Sequence, residues 1–263
     1  MSNYKPLSSA HVLPIQSRSN PRVKDLIDKK DQYYIFEGEK LVKDILNRSI
    51  PIQILIIEDS QYDIASLPSR AQVNEIWVAS PSVIQKISSL KEKSSFIAVI
   101  SIIHPQIDFK SSSIIIGLDS IQDPANAGTV FRCAAAFGIQ SIILSGPSVN
   151  PTNSKFIRAA QNAIFDVPFQ KFPNIDTAIN KARSLNSQIH IYLTSSHPQA
   201  ESVTPENVQF PCIIWIGNEG SGLDAPLFQK YPSIFISQTH TVESLNAGVS
   251  ACILMHELQK RIN

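Results

Sequence analysis

Along this chain, short apolar runs alternate with stretches in which apolar residues return every three or four positions. The first habit is that of buried strands, the second that of helices with one face inward. In the N-terminal part, Tyr33–Phe36, Gln53–Ile57, Glu75–Ala79 and Phe96–Ile102 read as strands by their β-branched and aromatic content. Between them fall helices: one with Leu41, Val42, Ile45 and Leu46 inward, one near Tyr62–Leu67, and one over Pro81–Ser89 opened by Ser80. Upstream, Asn20-Pro21 suits a helix start, with Val23, Leu26 and Ile27 on one face. Residues 1–16 read as an irregular lead-in. Four strands alternating with helices predict a compact α/β domain. It shows no close His/Cys cluster and no paired acids between strand ends, so it reads as a recognition module or a scaffold.

His104–Ser113, with Pro105 and three serines, reads as a linker. Beyond it the alternation resumes. Strands are predicted at Ile114–Leu118, Ser141–Leu144, Val167–Phe169, His190–Thr194, Cys212–Ile216 and Ile234–Ile236. Helices are predicted through Val130–Phe137, over Pro151–Ala163 and Ile175–Leu185, and in a last segment carrying Val249, Ala251, Ile253, Leu254 and Leu258. The expected organisation is therefore α/β in both parts, a smaller domain over 1–104 and a larger one over 113–263.

Composition narrows the class. An apolar fraction of 43% supports real cores, and a formal net charge of +1 neither requires nor excludes a nucleic-acid partner. Such a partner needs local clusters of cations, and Arg18, Arg22 and Lys24, with Lys29 and Lys30, are candidates for RNA contacts. The solvated face of an amphipathic helix is the alternative reading of that cluster. Cys133, Cys212 and Cys252 have no metal-ligand spacing and sit in apolar surroundings, which predicts small core residues in a reducing compartment and no metal site. The start MSNYKPLSS lacks an apolar core of signal-peptide length, and no apolar run is long enough to span a bilayer. A soluble cytoplasmic protein without a membrane partner is the expectation.

Three loops carry the candidate chemistry, each following an apolar strand in the second part. The first, DSIQDPANAGTVFRCAAAFG, holds Asn126 before a helix start expected near Gly128, and Arg132 about one turn in. Asn offers a donor and an acceptor, and Arg a fixed fork of donors suited to phosphate. Alone, Asn126 reads equally as the helix cap and Arg132 as a surface residue. The second, CIIWIGNEGSGL, ends a strand at Gly217 and continues through Asn218, Glu219 and two further glycines that let backbone amides approach a ligand. The third, SIFISQTHTVESLNAGVSACILMHE, passes from a strand through Ser244-Leu245-Asn246 into the last helix. No G-x-G-x-x-G follows the first strand of either part and no G-x-x-x-x-G-K-[ST] occurs, which argues against dinucleotide and P-loop chemistry. Three such loops in one α/β unit predict a pocket of backbone amides, Asn side chains and one Arg at the strand ends.

In this order the segments DPANAGTVFRCAAAFG, IWIGNEGSGL and ISQTHTVESLNAGVSACILMHE resemble the three signature motifs of the SpoU/TrmH family, RNA 2′-O-ribose methyltransferases of the SPOUT superfamily. The stretch SNPRVKDLIDKKDQYYIFEGEKLVKDIL is similar to the substrate-binding domain of many members, a fold like that of ribosomal protein L30e. The resemblance implies a SPOUT-type C-terminal α/β domain with a trefoil knot, preceded by a small L30e-like α/β domain. It implies S-adenosyl-L-methionine as cofactor, held by Gly217, Asn218, Ile236 and Leu245, and a catalytic set of Asn126, Arg132, Glu219, Ser244 and Asn246. Structured RNA is the implied substrate, ribosomal RNA of the 23S type first and tRNA second, and a homodimer through the C-terminal domain the implied assembly. Ser237-Gln238 and Thr239-His240-Thr241 depart from the family's Ile-Pro-Met and glycine pattern, which predicts a reshaped adenosine side of the pocket. An RNA-binding protein that keeps the fold without cofactor affinity is the alternative.

Overall fold

The computed structural model describes residues 6–90, 94–102, 106–195, 202–203, 205–236, 239 and 244–261. The chain divides into two compact units, Met1–Ile103 with Pro151–Gln161, and His104–Asn150 with Asn162–Asn263.

The first unit is built on β1 (His11–Ile15), α1 (Pro21–Asp28), β2 (Tyr33–Glu37), α2 (Glu39–Asn47), β3 (Ile52–Glu58), β4 (Val73–Ala79), α3 (Pro81–Ile87) and β5 (Phe96–Ser101). Its sheet runs β1-β4-β3-β5-β2, parallel across β1, β4 and β3 and antiparallel at β5 and β2. Asn20 caps α1 by accepting from the Arg22 amide at 2.9 Å, and Pro21 takes the first helical position, where no amide hydrogen is needed. Val23 and Leu26 of α1 and Val83 and Ile84 of α3 then bury against Ile56, Trp77, Ile97 and Val99 of the sheet. Each such side chain contributes about 1.5–3 kcal/mol of burial.

Two expectations for this unit fail for physical reasons. β1 occupies part of the predicted lead-in. As an edge strand carrying Pro14 and burying only Ile15 fully, it has no alternation to read. The helix expected near Tyr62–Leu67 is replaced by two single turns, Asp59–Gln61 and Ile64–Ser66. Asp59 and Asp63 accept from the Ser60 and Ala65 amides at 2.8 and 3.0 Å, giving the backbone a local partner that competes with a helix.

The chain continues through β6 (Ile114–Asp119), α4 (Pro124–Ala136), β7 (Ser141–Ser145), α5 (Ser154–Ala160, within the segment that packs with the first unit), β8 (Phe169–Phe172), α6 (Ile175–Leu185), β9 (His190–Ser195), β10 (Ser202–Val203), β11 (Cys212–Ile216), β12 (Ser233–Phe235) and α7 (Ala247–Gln259). The second unit's sheet runs β10-β12-β9-β11-β6-β7-β8, and every pairing is parallel. β7 and β11 are buried at every position, as expected for strands covered on both faces. Gly117 of β6 faces Trp215 of β11 in register, and a Cβ on Gly117 would lie 2.3 Å from the indole.

Helix boundaries moved where caps decide them. α4 begins at Pro124 rather than near Gly128, because Asp123 accepts from the Ala125 and Asn126 amides at 2.7 and 2.8 Å. α5 is shorter than the predicted 151–163, since Asn153 caps it late and Gln161 leaves it at φ +52°. Of the three cysteines, widely spaced in sequence, the fold brings two together: Cys133 of α4 and Cys252 of α7 have their sulfurs 2.6 Å apart as free thiols.

Candidate functional site

Because all seven strands of the second sheet run the same way, their C-terminal ends share one edge, the usual place for ligands in an open α/β sheet. A cavity of about 490 Å³ opens at the ends of β9, β11 and β12. Its walls are Thr194 and Ser195 at the end of β9, Ile216 to Leu223 from the end of β11 onward, Ile234 and Ile236 at β12, and Ser244, Leu245, Ala247 and Ser250 around the start of α7. The loop after β11 folds back on itself so closely that a Cβ on Gly217 would lie 2.4 Å from the Gly222 carbonyl carbon. Gly222 itself sits at φ +66°, a conformation side chains resist. Backbone groups therefore form much of this wall.

The first and third loops converge on the second through side-chain amides. Since Asp123 caps α4, the Asn126 side chain is released for other work. Its Nδ2 donates to Glu219 Oε1 at 2.6 Å, and its Oδ1 accepts from Asn246 Nδ2 at 3.2 Å. Asn246 also caps α7, its Oδ1 accepting from the Val249 amide at 3.2 Å. Gly248 leaves room for this cap, since a Cβ there would lie 3.2 Å from Asn246 Oδ1. Three residues separated by 93 and 120 positions thus make one connected polar set. Beside them α4 packs on α7, where burial, then the hydrogen bond with Cys133, pushes the Cys252 thiol up to about 12.

Of the residues expected from sequence, Gly217, Asn218, Ile236, Leu245, Glu219 and Ser244 all line the cavity, and Asn126 and Asn246 join it through Glu219. Asn218 lines it while its side chain is spent on the loop: Nδ2 donates to the Ser120 carbonyl at 2.8 Å, and Oδ1 accepts from the Gly220 and Ser221 amides. Arg132 stands apart. It is exposed on α4 six residues beyond Asn126. At 3.6 residues per turn that places it roughly 120° around the helix from Asn126. In the first unit, Arg22 Nη1 binds both oxygens of Glu75 at 3.1 and 3.0 Å, while Arg18 and Lys24 are exposed. Of the departing loop Ser237–Thr241, all but Thr239 lies outside the described residues.

Sequence reasoning missed Thr194, Ser195 and Ser250 in the cavity wall and Ser120 behind it. The first two end an apolar strand of a parallel sheet, a position that alone could have marked them. Among the described residues no group of three or more His, Cys, Asp or Glu could hold a metal ion, and no helix is long and apolar enough to cross a membrane.

Comparison with known proteins gives concordant results. The pattern of the SpoU rRNA Methylase family matches residues 113–256. The 23S rRNA (guanosine(2553)-2′-O)-methyltransferase RlmP of Bacillus subtilis is 26% identical over 255 residues, 93% of this chain and 98% of that protein. An uncharacterised tRNA/rRNA methyltransferase of Synechocystis is 32% identical over 146 residues, 55% of this chain and 52% of its own length. Among solved structures, an AdoMet-bound rRNA methyltransferase from Sinorhizobium meliloti superposes with a TM-score of 0.79 at 24% identity, covering 96% of this chain and 99% of that one. The SpoU methyltransferase AviRb of Streptomyces viridochromogenes, in complex with AdoMet, gives 0.75 at 17% identity, covering 92% and 98%. These two likenesses establish the fold.

Proposed function

The chain belongs to the SpoU rRNA Methylase family, and from that premise we propose that it transfers a methyl group from S-adenosylmethionine to a ribose 2′-hydroxyl of structured RNA. Ribosomal RNA of the 23S type is the first substrate, as the name of the Bacillus relative suggests, and tRNA the second. The observation that carries the reading is the convergence of Asn126, Glu219 and Asn246, from three separate loops, beside one cavity at the strand ends.

The cavity suits the cofactor. Its volume, about 490 Å³, falls within the ~300–1,000 Å³ of small-molecule sites. Backbone of the Gly217–Gly222 loop and the apolar side chains of Ile236 and Leu245 line it together, giving polar and apolar surface in one cavity. When bound, S-adenosylmethionine supplies an electrophilic methyl group on its sulfonium. The chain's part is placement, which can be worth about 7–11 kcal/mol in an in-line displacement. Glu219 and Asn246 hold the Asn126 amide in one orientation at the acceptor side. Arg132 holds the phosphate next to the target ribose and polarises its hydroxyl; a guanidinium with pKa above about 12 is a poor literal base. Ser244 or a water passes the hydroxyl proton out to solvent, while Asn246, its amide engaged by Asn126 and the Val249 amide, holds the geometry.

The same reading assigns the finer architecture. Residues 1–104 form an L30e-like RNA-binding domain, and 113–263 the methyltransferase domain with a trefoil knot. Supporting the knot, β12 lies outside β9 in the sheet while α7 packs on α4, the helix after β6. Self-association through the C-terminal domain is supported by Val249 and Ile253, one turn apart on α7 and 49% and 37% exposed. It also accounts for Arg132 standing away from its own chain's polar set. Sedimentation across a concentration series measures it, and a monomer at all concentrations excludes it. The cytoplasm, where RNA is made and assembled, is the compartment assigned.

Calorimetry with S-adenosylmethionine and S-adenosylhomocysteine tests the proposal at its base. Saturable binding of both is expected. Binding of neither would leave the fold-retaining RNA-binding protein as the better reading.

A further inference from the structure

Among the residues lining the cavity, Asn218 spends its side-chain amide within the loops. β6 and β11 are paired up to Leu118 and Ile216, so continuing the register brings Asn218 beside Ser120. Regular pairing stops there, because the chain turns back at Gly217 and Asn218 bridges to Gly222 instead. The Asn218 side chain takes over the missing rung. Its Nδ2 donates to the Ser120 carbonyl at 2.8 Å, and its Oδ1 accepts from the Gly220 amide at 2.8 Å and the Ser221 amide at 3.3 Å.

Ser120 makes that rung consequential. It is a non-glycine residue at φ +57°, a left-handed conformation that persists only where its surroundings fix it. Its amide donates to the Ser145 carbonyl at 3.0 Å, so Asn218 supplies the partner on the other side of the residue. Three residues later Asp123 caps α4 and delivers Asn126. Two rungs therefore join the same two loops: Asn218 to Ser120 next to the sheet, and Glu219 to Asn126 beyond it. Glu219 sits between Asn218 and the two amides that Asn218 holds, so one amide group fixes both ends of the Glu219–Asn126 contact.

We propose that Asn218 is a positioning residue for methyl transfer, acting through Ser120 and Glu219 and not through its side chain on the cofactor. This rests on the methyltransferase reading above. It departs from the expectation, drawn from family resemblance, that Asn218 serves mainly to bind S-adenosylmethionine.

Asn218→Asp is the discriminating variant. It keeps an oxygen for the Gly220 and Ser221 amides, removes the donor to Ser120, and sets a carboxylate against a carbonyl. The expected result is a fall in kcat on the order of 10-fold or more, as small displacements at a reacting centre produce. S-adenosylmethionine affinity by calorimetry should stay at the wild-type value. Asn218→Ala, which frees the loop amides as well, should lose both kcat and affinity. Should Asn218→Asp keep its kcat, or lose affinity in proportion to rate, the positioning role is wrong. A thermal melt of each variant separates these outcomes from misfolding; if Asn218→Asp is unfolded, kcat of Asn218→Ala at saturating S-adenosylmethionine is read instead, and a wild-type value there overturns the role. A wild-type protein that binds the cofactor yet methylates no RNA would sink the underlying reading instead.

Discussion

At the scale of single residues, the site is decided by which side chain is free to do what. Asn126 could have been the cap of α4, and from sequence the two roles were indistinguishable. The structure gives capping to Asp123, and Asn126 turns to Glu219 and Asn246. Glu219 accepts from Asn126 at 2.6 Å, and its expected role is that of acceptor more than of charge. Glu219→Gln keeps an amide oxygen for Asn126 and should retain most of kcat, whereas Glu219→Ala leaves the Asn126 donor unpaired. That loss costs about 1–3 kcal/mol, or roughly 5- to 150-fold in rate if it falls wholly on the transition state. Single-turnover methyl transfer compares the two variants, and equal losses in both would show that charge, not orientation, is what Glu219 supplies. The three motif loops were legible because their Asn, Glu and Gly residues are unusual between buried strands. The contacts among them were not, since pairs 93 and 120 residues apart leave no trace in spacing.

Among the elements, strands with both faces buried and strongly periodic helices were read well: β11 and α6 stand at the expected residues. The misses share a cause. β1 draws its stability from pairing with β4, and the turns at Asp59–Gln61 and Ile64–Ser66 from aspartate side chains, neither of which periodicity records. Gly117 shows the same limit inside a strand that was found. Nothing in the run Ile114–Leu118 says that its glycine must make room for Trp215 across the sheet. Gly117→Ala would press a methyl group into that buried indole, and overpacking of this kind costs about 1–3 kcal/mol. A lower melting temperature by circular dichroism, with the native spectrum retained below it, is the expected outcome; an unchanged melt would mean the β6–β11 packing is looser than described.

For the whole molecule, the two-part α/β organisation was visible in the alternation of strands and helices. The family came from three ordered motifs, since neither charge nor composition distinguishes an RNA enzyme at a net +1. The first unit shows why: Arg22 is engaged by Glu75, so cations counted in sequence are not all available to phosphate. The proposed activity rests on the second unit's cavity and polar set. One measurement bears on that most directly: mapping 2′-O-methylated nucleotides in total RNA from cells with the protein, without it, and with only the Arg132→Ala form. A methylated ribose, in ribosomal RNA first, is expected to disappear without the protein and not to be restored by Arg132→Ala. An identical map in all three would contradict it.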